Sequence, residues 1–184
     1  VRWEGELLLY PDYFAALDGF DAEIRVKRGA HHNELTRYRY DVVLHPGRQA
    51  AAPDEREVPW AGAEHLDALL AERPARLRVT GIPNARLADD LADLRALEGS
   101  SRAAAAAADA EDLHALAERH GYRAALTWNG TADDGALDAV LARTDPHAGL
   151  YRGSGTHPHA NRPAPFRDVH ALMGPSATPL LTGG

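Results

Sequence analysis

Apolar and polar residues alternate along this chain in short stretches, and the period of alternation switches repeatedly between that of a helix and that of a strand. Pro11 sits where a first helical turn tolerates it, Phe14 and Leu17 follow at helical spacing, and Gly19 stops the helix. Ile24 and Val26 then alternate with Glu23, Arg25 and Lys27, which predicts a short strand. Beyond a turn at Gly29, Tyr38, Tyr40, Val42 and Leu44 alternate with Arg37, Arg39 and Asp41. A second strand is therefore expected from Arg37 to Leu44, paired with the first as a hairpin with a long loop. Pro46, Gly47 and the polar run to Glu57 predict an exposed loop.

A second unit opens near Gly62. Leu66, Leu69 and Leu70 lie on one helical face that ends at Arg73-Pro74, and Leu77 and Val79 alternate with Arg76, Arg78 and Thr80 as a strand should. Asn84 is placed to cap a helix whose stripe runs Leu87, Leu91, Leu94, Leu97 up to Gly99. Ala103 to Ala108 reads equally as a solvated helix or a linker. Asp109 caps the next helix, with Glu111 and Asp112 in its first turn and Leu113, Leu116 and Ala117 inward. Ala124, Leu126 and Trp128 predict a strand, and Leu137 to Ala142 the last one. From Pro146 the chain loses periodicity and reads as loop or disorder. The order helix, strand, loop, strand occurs twice, ending at Tyr40–Leu44 and at Leu137–Leu141. Duplication within one sheet and convergent hairpin patterning explain it equally well. The fold class expected is α/β to α+β.

Composition narrows the function classes. With 184 residues, 45% hydrophobic and 26% charged, the chain suits one soluble globular domain or one domain plus a tail. The net charge of −7 argues against nucleic acid as a partner, since phosphate binding wants a basic surface. No apolar run has the length of a membrane span and no signal peptide opens the chain, so no membrane association is expected. The absence of cysteine removes disulfides, thiolate metal sites and a cysteine nucleophile, and fits a cytoplasmic location. The chain begins at Val1 and its one methionine is Met173, which suggests a fragment of a longer polypeptide.

The densest chemistry lies in residues 33–44, Asn-Glu-Leu-Thr-Arg-Tyr-Arg-Tyr-Asp-Val-Val-Leu, where hydroxyls, guanidinium groups and carboxylates crowd one strand end. This run resembles the second signature motif of the methyltransferase domains of nonribosomal peptide synthetases, Asn-Glu-Leu-Ser-x-Tyr-Arg-Tyr-x-Ala-Val, with Thr36 for Ser and Val42 for Ala. The third motif of that family is Val-Glu-x-Ser-x-Ala-Arg-Gln-x-Gly-x-Leu-Asp. Within residues 126–138, Gly135, Leu137 and Asp138 match it, and Leu126 and Asn129 are near substitutions. Its central Ala-Arg-Gln is replaced by Thr131, Ala132 and Asp133. The resemblance covers roughly residues 6–145. The family's first motif, an apolar strand running into a Gly-x-Gly-x-Gly turn, is missing; Gly153-Ser154-Gly155 follows no strand and reads as loop.

The resemblance implies the C-terminal part of a class I methyltransferase-like fold, with edge antiparallel hairpins and accessory helices over residues 1–145 and a tail over 146–184. It implies methyl transfer from S-adenosylmethionine to a carrier-bound aminoacyl substrate, commonly at the α-amine. The cofactor would be held by the N-terminal half of the same domain, with neighbouring adenylation and carrier domains as further partners. No residue of this chain is assigned to the cofactor, and the chain alone is expected to bind none and to be inactive. Such a reaction needs a neutral, aligned amine, so Glu34, Tyr38 and Tyr40 are candidate catalytic residues, and Asn33, His32 and Arg39 candidate substrate-binding residues. His31 and His32 could also orient or deprotonate the ammonium.

Each has a plainer reading: tyrosines packed on a sheet face, Asn33 and Glu34 capping a loop, solvated histidines, and Arg39 holding Asp41 or a neighbouring carboxylate. Arg25, Lys27 and Arg28 could receive an acidic carrier or form a solvated strand face. His157 with His159, and His114 with His120, lack the partners of a metal site, so no metal is expected. Two other functions stay open: a non-catalytic interaction or spacer module of a multidomain assembly line, and a small-molecule methyltransferase outside peptide synthesis.

Overall fold

A computed structural model describes residues 9–47, 54–99, 106–132 and 134–155. The architecture is mixed α/β, built on two sheets. A short helix α1 (Pro11–Ala15) leads into strand β1 (Phe20–Val26), which pairs antiparallel with β2 (Tyr40–Pro46), Val26 lying opposite Tyr40 and Phe20 opposite Pro46. The expected hairpin forms, but its second strand begins at Tyr40 rather than Arg37 and runs past Leu44 to Pro46, which was expected as loop. Residues Glu34–Tyr38 are a helical turn, α2, in the long connection. The cause is local. Asn33 Oδ1 accepts from the amides of Leu35 (3.0 Å) and Thr36 (3.2 Å), while Thr36 Oγ1 accepts from the Asn33 amide at 3.1 Å. This reciprocal capping box fixes a helix start inside a stretch whose apolar period reads as strand. Tyr38 and Tyr40 therefore do not share a strand face.

The second sheet has the order β3-β4-β6-β5. Strand β3 (Glu55–Pro59) runs parallel to β4 (Arg76–Ile82), joined by α3 (Ala63–Ala71), whose Leu66, Leu69 and Leu70 are buried as their spacing predicts. The stretch up to Glu57 was expected as loop; its end is instead an edge strand whose polar alternation hides it. Strand β6 (Leu137–Ala142) lies antiparallel between β4 and β5 (Arg123–Trp128). Every residue of β6 is buried, as a central strand covered on both faces requires. The β5–β6 hairpin thus forms one edge of this sheet, as expected. The two hairpins lie in different sheets, with β1 packed against β5, so the one-sheet duplication is not observed.

After β4, Asn84 caps a 3-10 turn at Ala85–Leu87 that continues into α4 (Ala88–Leu97). The leucine stripe of α4 exists but leaves the core: Leu87 is buried, Leu94 is 49% exposed and Leu97 86%. Helix α5 (Ala110–Arg119), capped by Asp109, packs Leu113, Leu116 and Ala117 into the main core with Leu66, Leu77, Ile82 and Leu137.

Residues 146–155 are irregular, as the sequence suggests, yet they are bound down. Arg76 and Arg78 of β4, both almost wholly buried, donate to the carbonyls of Asp145, Pro146, Ala148, Gly149 and Leu150. Glu55 of β3 accepts from both guanidinium groups, at 2.7 Å and 2.6 Å, and from Arg152 at 2.6 Å. Burial would raise the Glu55 carboxyl, but its bonds from Arg78 and Arg76 outweigh that and hold it below its ordinary range. Leu150 inserts beside Ala125 and Val140, and Gly153 bridges to Gly130. A Cβ on Gly130 would lie 2.3 Å from the Arg152 carbonyl oxygen, so only glycine allows this approach.

Candidate functional site

Strands β3, β4 and β5 run in one direction, so their carboxyl ends share an edge of the sheet, where open α/β sheets place ligands. Beyond β4 the chain passes Pro83-Asn84, and residues 106–108 return alongside it. The Ala108 amide donates to the Pro83 carbonyl (2.9 Å) and the Ala85 amide to the Ala108 carbonyl (3.1 Å). This short bridge sets Asp109 at the edge, where α5 begins. Asp109 Oδ1 accepts from the Glu111 amide at 2.8 Å, and its Oδ2 lies 2.6 Å from His32 Nε2. The histidine that precedes the motif and a helix-capping carboxylate thus meet across 77 residues of sequence.

Two arginines hold the motif loop against this helix. Arg28 grips Glu111 with bonds of 2.9, 3.0 and 2.7 Å, and the Gly29 amide donates to the same carboxylate at 2.8 Å. The Arg28 guanidinium, followed by the Gly29 amide, pulls the Glu111 carboxyl down to about 2 against the opposing effect of burial. Arg86 is 2% exposed. It donates to the carbonyls of Lys27 (2.7 Å), Gly29 (2.9 Å) and Thr36 (3.3 Å), and stands 3.6 Å from Asp109 and 3.7 Å from Glu111. Arg86 Nε and Asn84 Nδ2 are buried without a hydrogen-bond partner among the described residues. One turn into α5, burial and the charge of Arg28 push the His114 imidazole down to about 4, so it is neutral near neutral pH.

The candidate residues separate. His32 and Asn33 are at the edge, Asn33 as the cap of α2 and His32 beside Asp109. Glu34 accepts from Arg39 at 2.7 Å on the surface, so Arg39 holds a neighbouring carboxylate, one of the two partners its plainer reading allowed, while Lys27 pairs with Asp41. Tyr38, 54% exposed, donates to Asp90 of α4 at 2.6 Å, and that carboxylate raises its pKa. Tyr40 donates to the Leu9 carbonyl and meets the Phe14 ring edge-on, and burial pushes its hydroxyl up to about 12. His31 contributes its carbonyl to Thr36.

The second matching stretch has a structural job: the Asp138 carboxylate accepts from the Gly81 amide (3.0 Å) and from Asn129 (2.9 Å), tying the ends of β4 and β5 to the start of β6. Burial raises its pKa despite those bonds. Gly135 has φ +68 and sits where a Cβ would fall 2.5 Å from Leu87.

Arg25 binds Glu23, so the three cations of the β1 end are each paired. His120 meets Asp67, while His157 and His159 lie outside the described residues. Among the described residues there is no group of three His, Asp or Glu that could hold a metal ion, and no helix long and apolar enough to cross a membrane. Sequence reasoning missed the clamp of Arg86 and Glu111 and the second role of Asp109, because their partners in residues 27–36 are 50 or more residues away and no local pattern marks them.

No family model matches the chain. It is 35% identical over 179 residues, 92% of the chain, to the probable non-canonical nonribosomal peptide synthetase CymA of Salinispora arenicola. It is 32% identical over 178 residues, 80% of the chain, to the chondramide synthase of Chondromyces crocatus. To the peramine synthetase of Metarhizium majus it is 31% identical over 176 residues, 77% of the chain. The chain spans 2%, 4% and 6% of the length of these relatives. Its relatives are thus synthetases of the nonribosomal peptide type.

Proposed function

We propose that this chain is part of a methyltransferase domain of a nonribosomal peptide synthetase, methylating a carrier-bound aminoacyl substrate at its α-amine, in the cytoplasm. The observation that carries the reading is the placement of the 28–36 loop, with the first half of the signature run, at the carboxyl edge of β4, clamped by Arg86 and α5. The synthetase relatives align over most of the chain, which supports the same context.

S-adenosylmethionine would supply the electrophilic methyl group. The turns present here do not fit its adenosyl moiety: β3 passes to α3 through Trp60-Ala61-Gly62 and β4 leaves through Pro83-Asn84, and neither is a glycine-rich cradle. The N-terminal half of the same domain is the proposed holder of the cofactor, with adenylation and carrier domains as neighbours. This chain contributes one wall of the acceptor site.

A second reading has its own observation. Glu34, Tyr38 and Tyr40 each make a polar contact within the chain, as a non-catalytic spacer or docking module would allow. Methylation by the parent synthetase segment separates the two. With a loaded carrier and S-adenosylmethionine, the released amino acid should be one methyl group heavier by mass spectrometry. Calorimetry on the isolated chain should detect no cofactor binding. A fully loaded carrier whose amino acid stays unmethylated would favour the spacer.

A further inference from the structure

We propose that His32 is the group that takes the proton from the acceptor ammonium, and that Asp109 is the positioning residue that holds its ring; this rests on the function proposed above. An α-ammonium has no lone pair to offer, so a base must act before the nitrogen can attack, and histidine is the side chain suited to that near neutral pH. Asp109 Oδ2, at 2.6 Å, accepts the Nε2–H of His32 and so selects the tautomer whose Nδ1 carries the lone pair. Among the described residues no other hydrogen bond reaches that ring, and its side chain is 39% exposed, which leaves Nδ1 open to a substrate.

Neither partner is free to swing. Asp109 is only 18% exposed and its other oxygen is committed to the Glu111 amide. The loop bearing His32 is held on both sides, by Arg86 on the carbonyls of Gly29 and Thr36 and by the Asn33–Thr36 box. The charged groups facing the pair are Arg86, 3.6 Å from Asp109, and the Arg28–Glu111 ion pair; His31 adjoins in sequence. The other candidates are worse bases in place. Glu34 is tied to Arg39, and the tyrosine hydroxyls donate to Asp90 and Leu9 rather than accept. In the step itself, one N–H bond of the ammonium breaks, its electron pair stays on nitrogen, and a new N–H bond forms at His32 Nδ1. The imidazolium keeps its Nε2–H on Asp109 and later releases the Nδ1 proton to water through its exposed side.

The test uses the parent synthetase segment and this chain. His32→Gln should lower methylation by roughly 100-fold at about pH 7, with the loss shrinking to a fewfold at about pH 9, where the amine is neutral unaided. A merely structural role gives no such rescue by pH. Asp109→Asn should act in the same direction, and because asparagine caps helices as well as aspartate does, it leaves α5 intact. In this chain, ring nitrogen shifts should show the Nε2–H tautomer of His32, lost in D109N. Wild-type methylation with a His32→Gln defect that is absent, or equal at both pH values, overturns the inference alone, as does an Nδ1–H tautomer in the wild type. A wild-type parent that methylates nothing sinks the function and this inference together.

Discussion

Removing the Arg86 guanidinium would leave the carbonyls of Lys27, Gly29 and Thr36 turned toward a space that water does not reach, and would leave Asp109 and Glu111 facing each other with less positive charge between them. Truncating one member of a buried charged network costs about 3–5 kcal/mol, far more than the same change at a surface pair. Arg86→Met should therefore lower the urea midpoint by the equivalent of about 3 kcal/mol. A loss below about 0.5 kcal/mol would show that the clamp contributes nothing. Lysine should not restore the stability, because an ammonium cannot span three carbonyls as a guanidinium fork does. At this scale the sequence was least informative. Arg86 looks like any helical surface arginine until residues 27–36 are brought to it.

Among the elements, legibility followed burial. α3, α5, β4, β5 and β6 announce themselves because each turns a run of leucine, valine or alanine toward one core. β3 does not, since Glu55, Arg56 and Glu57 are polar on both faces of an edge strand, and its pairing is set by the arginines of β4. α2 fails for another reason: a five-residue helix is decided by its cap, and the Tyr38–Tyr40–Val42 alternation outweighed the Asn33 signal. α4 shows the opposite error, a clean stripe with little to cover it. Leu97→Lys should change stability by less than about 0.5 kcal/mol. Leu70→Ala, of the same residue type but 1% exposed, should cost about 2–5 kcal/mol. Equal losses in chemical denaturation would mean that α4 has a partner within the chain.

For the molecule as a whole, acid should act through the contact between the motif loop and α5. Burial, then the charge of Arg28, lowers the folded pKa of His114 from 6.5 to about 4. Between those values the unfolded chain holds a proton that the folded one refuses, so this stability is complete above about 6.5 and drains as the pH falls toward 4. Glu111, lowered from 4.5 to about 2 chiefly by Arg28, acts in the same direction. Its contribution is complete above 4.5 and fades toward 2. Urea midpoints should thus be level above about pH 6.5 and descend in two stages below it. His114→Gln should shrink the upper stage and leave the lower one, the remainder of the upper stage belonging to His147, which burial also lowers from 6.5. An unchanged midpoint from about pH 7 down to about pH 4 would contradict this.

The position of β6 constrains how the chain can be made and cut. A ribosome delivers β3 and β4 long before Leu137, and β5 before its neighbour, yet the strand that joins them comes last and sits between them. Until residue 142 emerges, β4 and β5 each expose an unpaired edge, which is the hazard of transient strand edges during synthesis. Any splice between this region and a foreign module that falls before Ala142 removes the centre of the sheet. One that falls between Ala142 and Arg152 leaves Arg76 and Arg78 as buried cations stripped of the carbonyls they were folded to meet. A splice that spares these contacts must keep the chain at least through the Gly130–Gly153 bridge, although the composition from Pro146 onward would alone have invited an earlier cut.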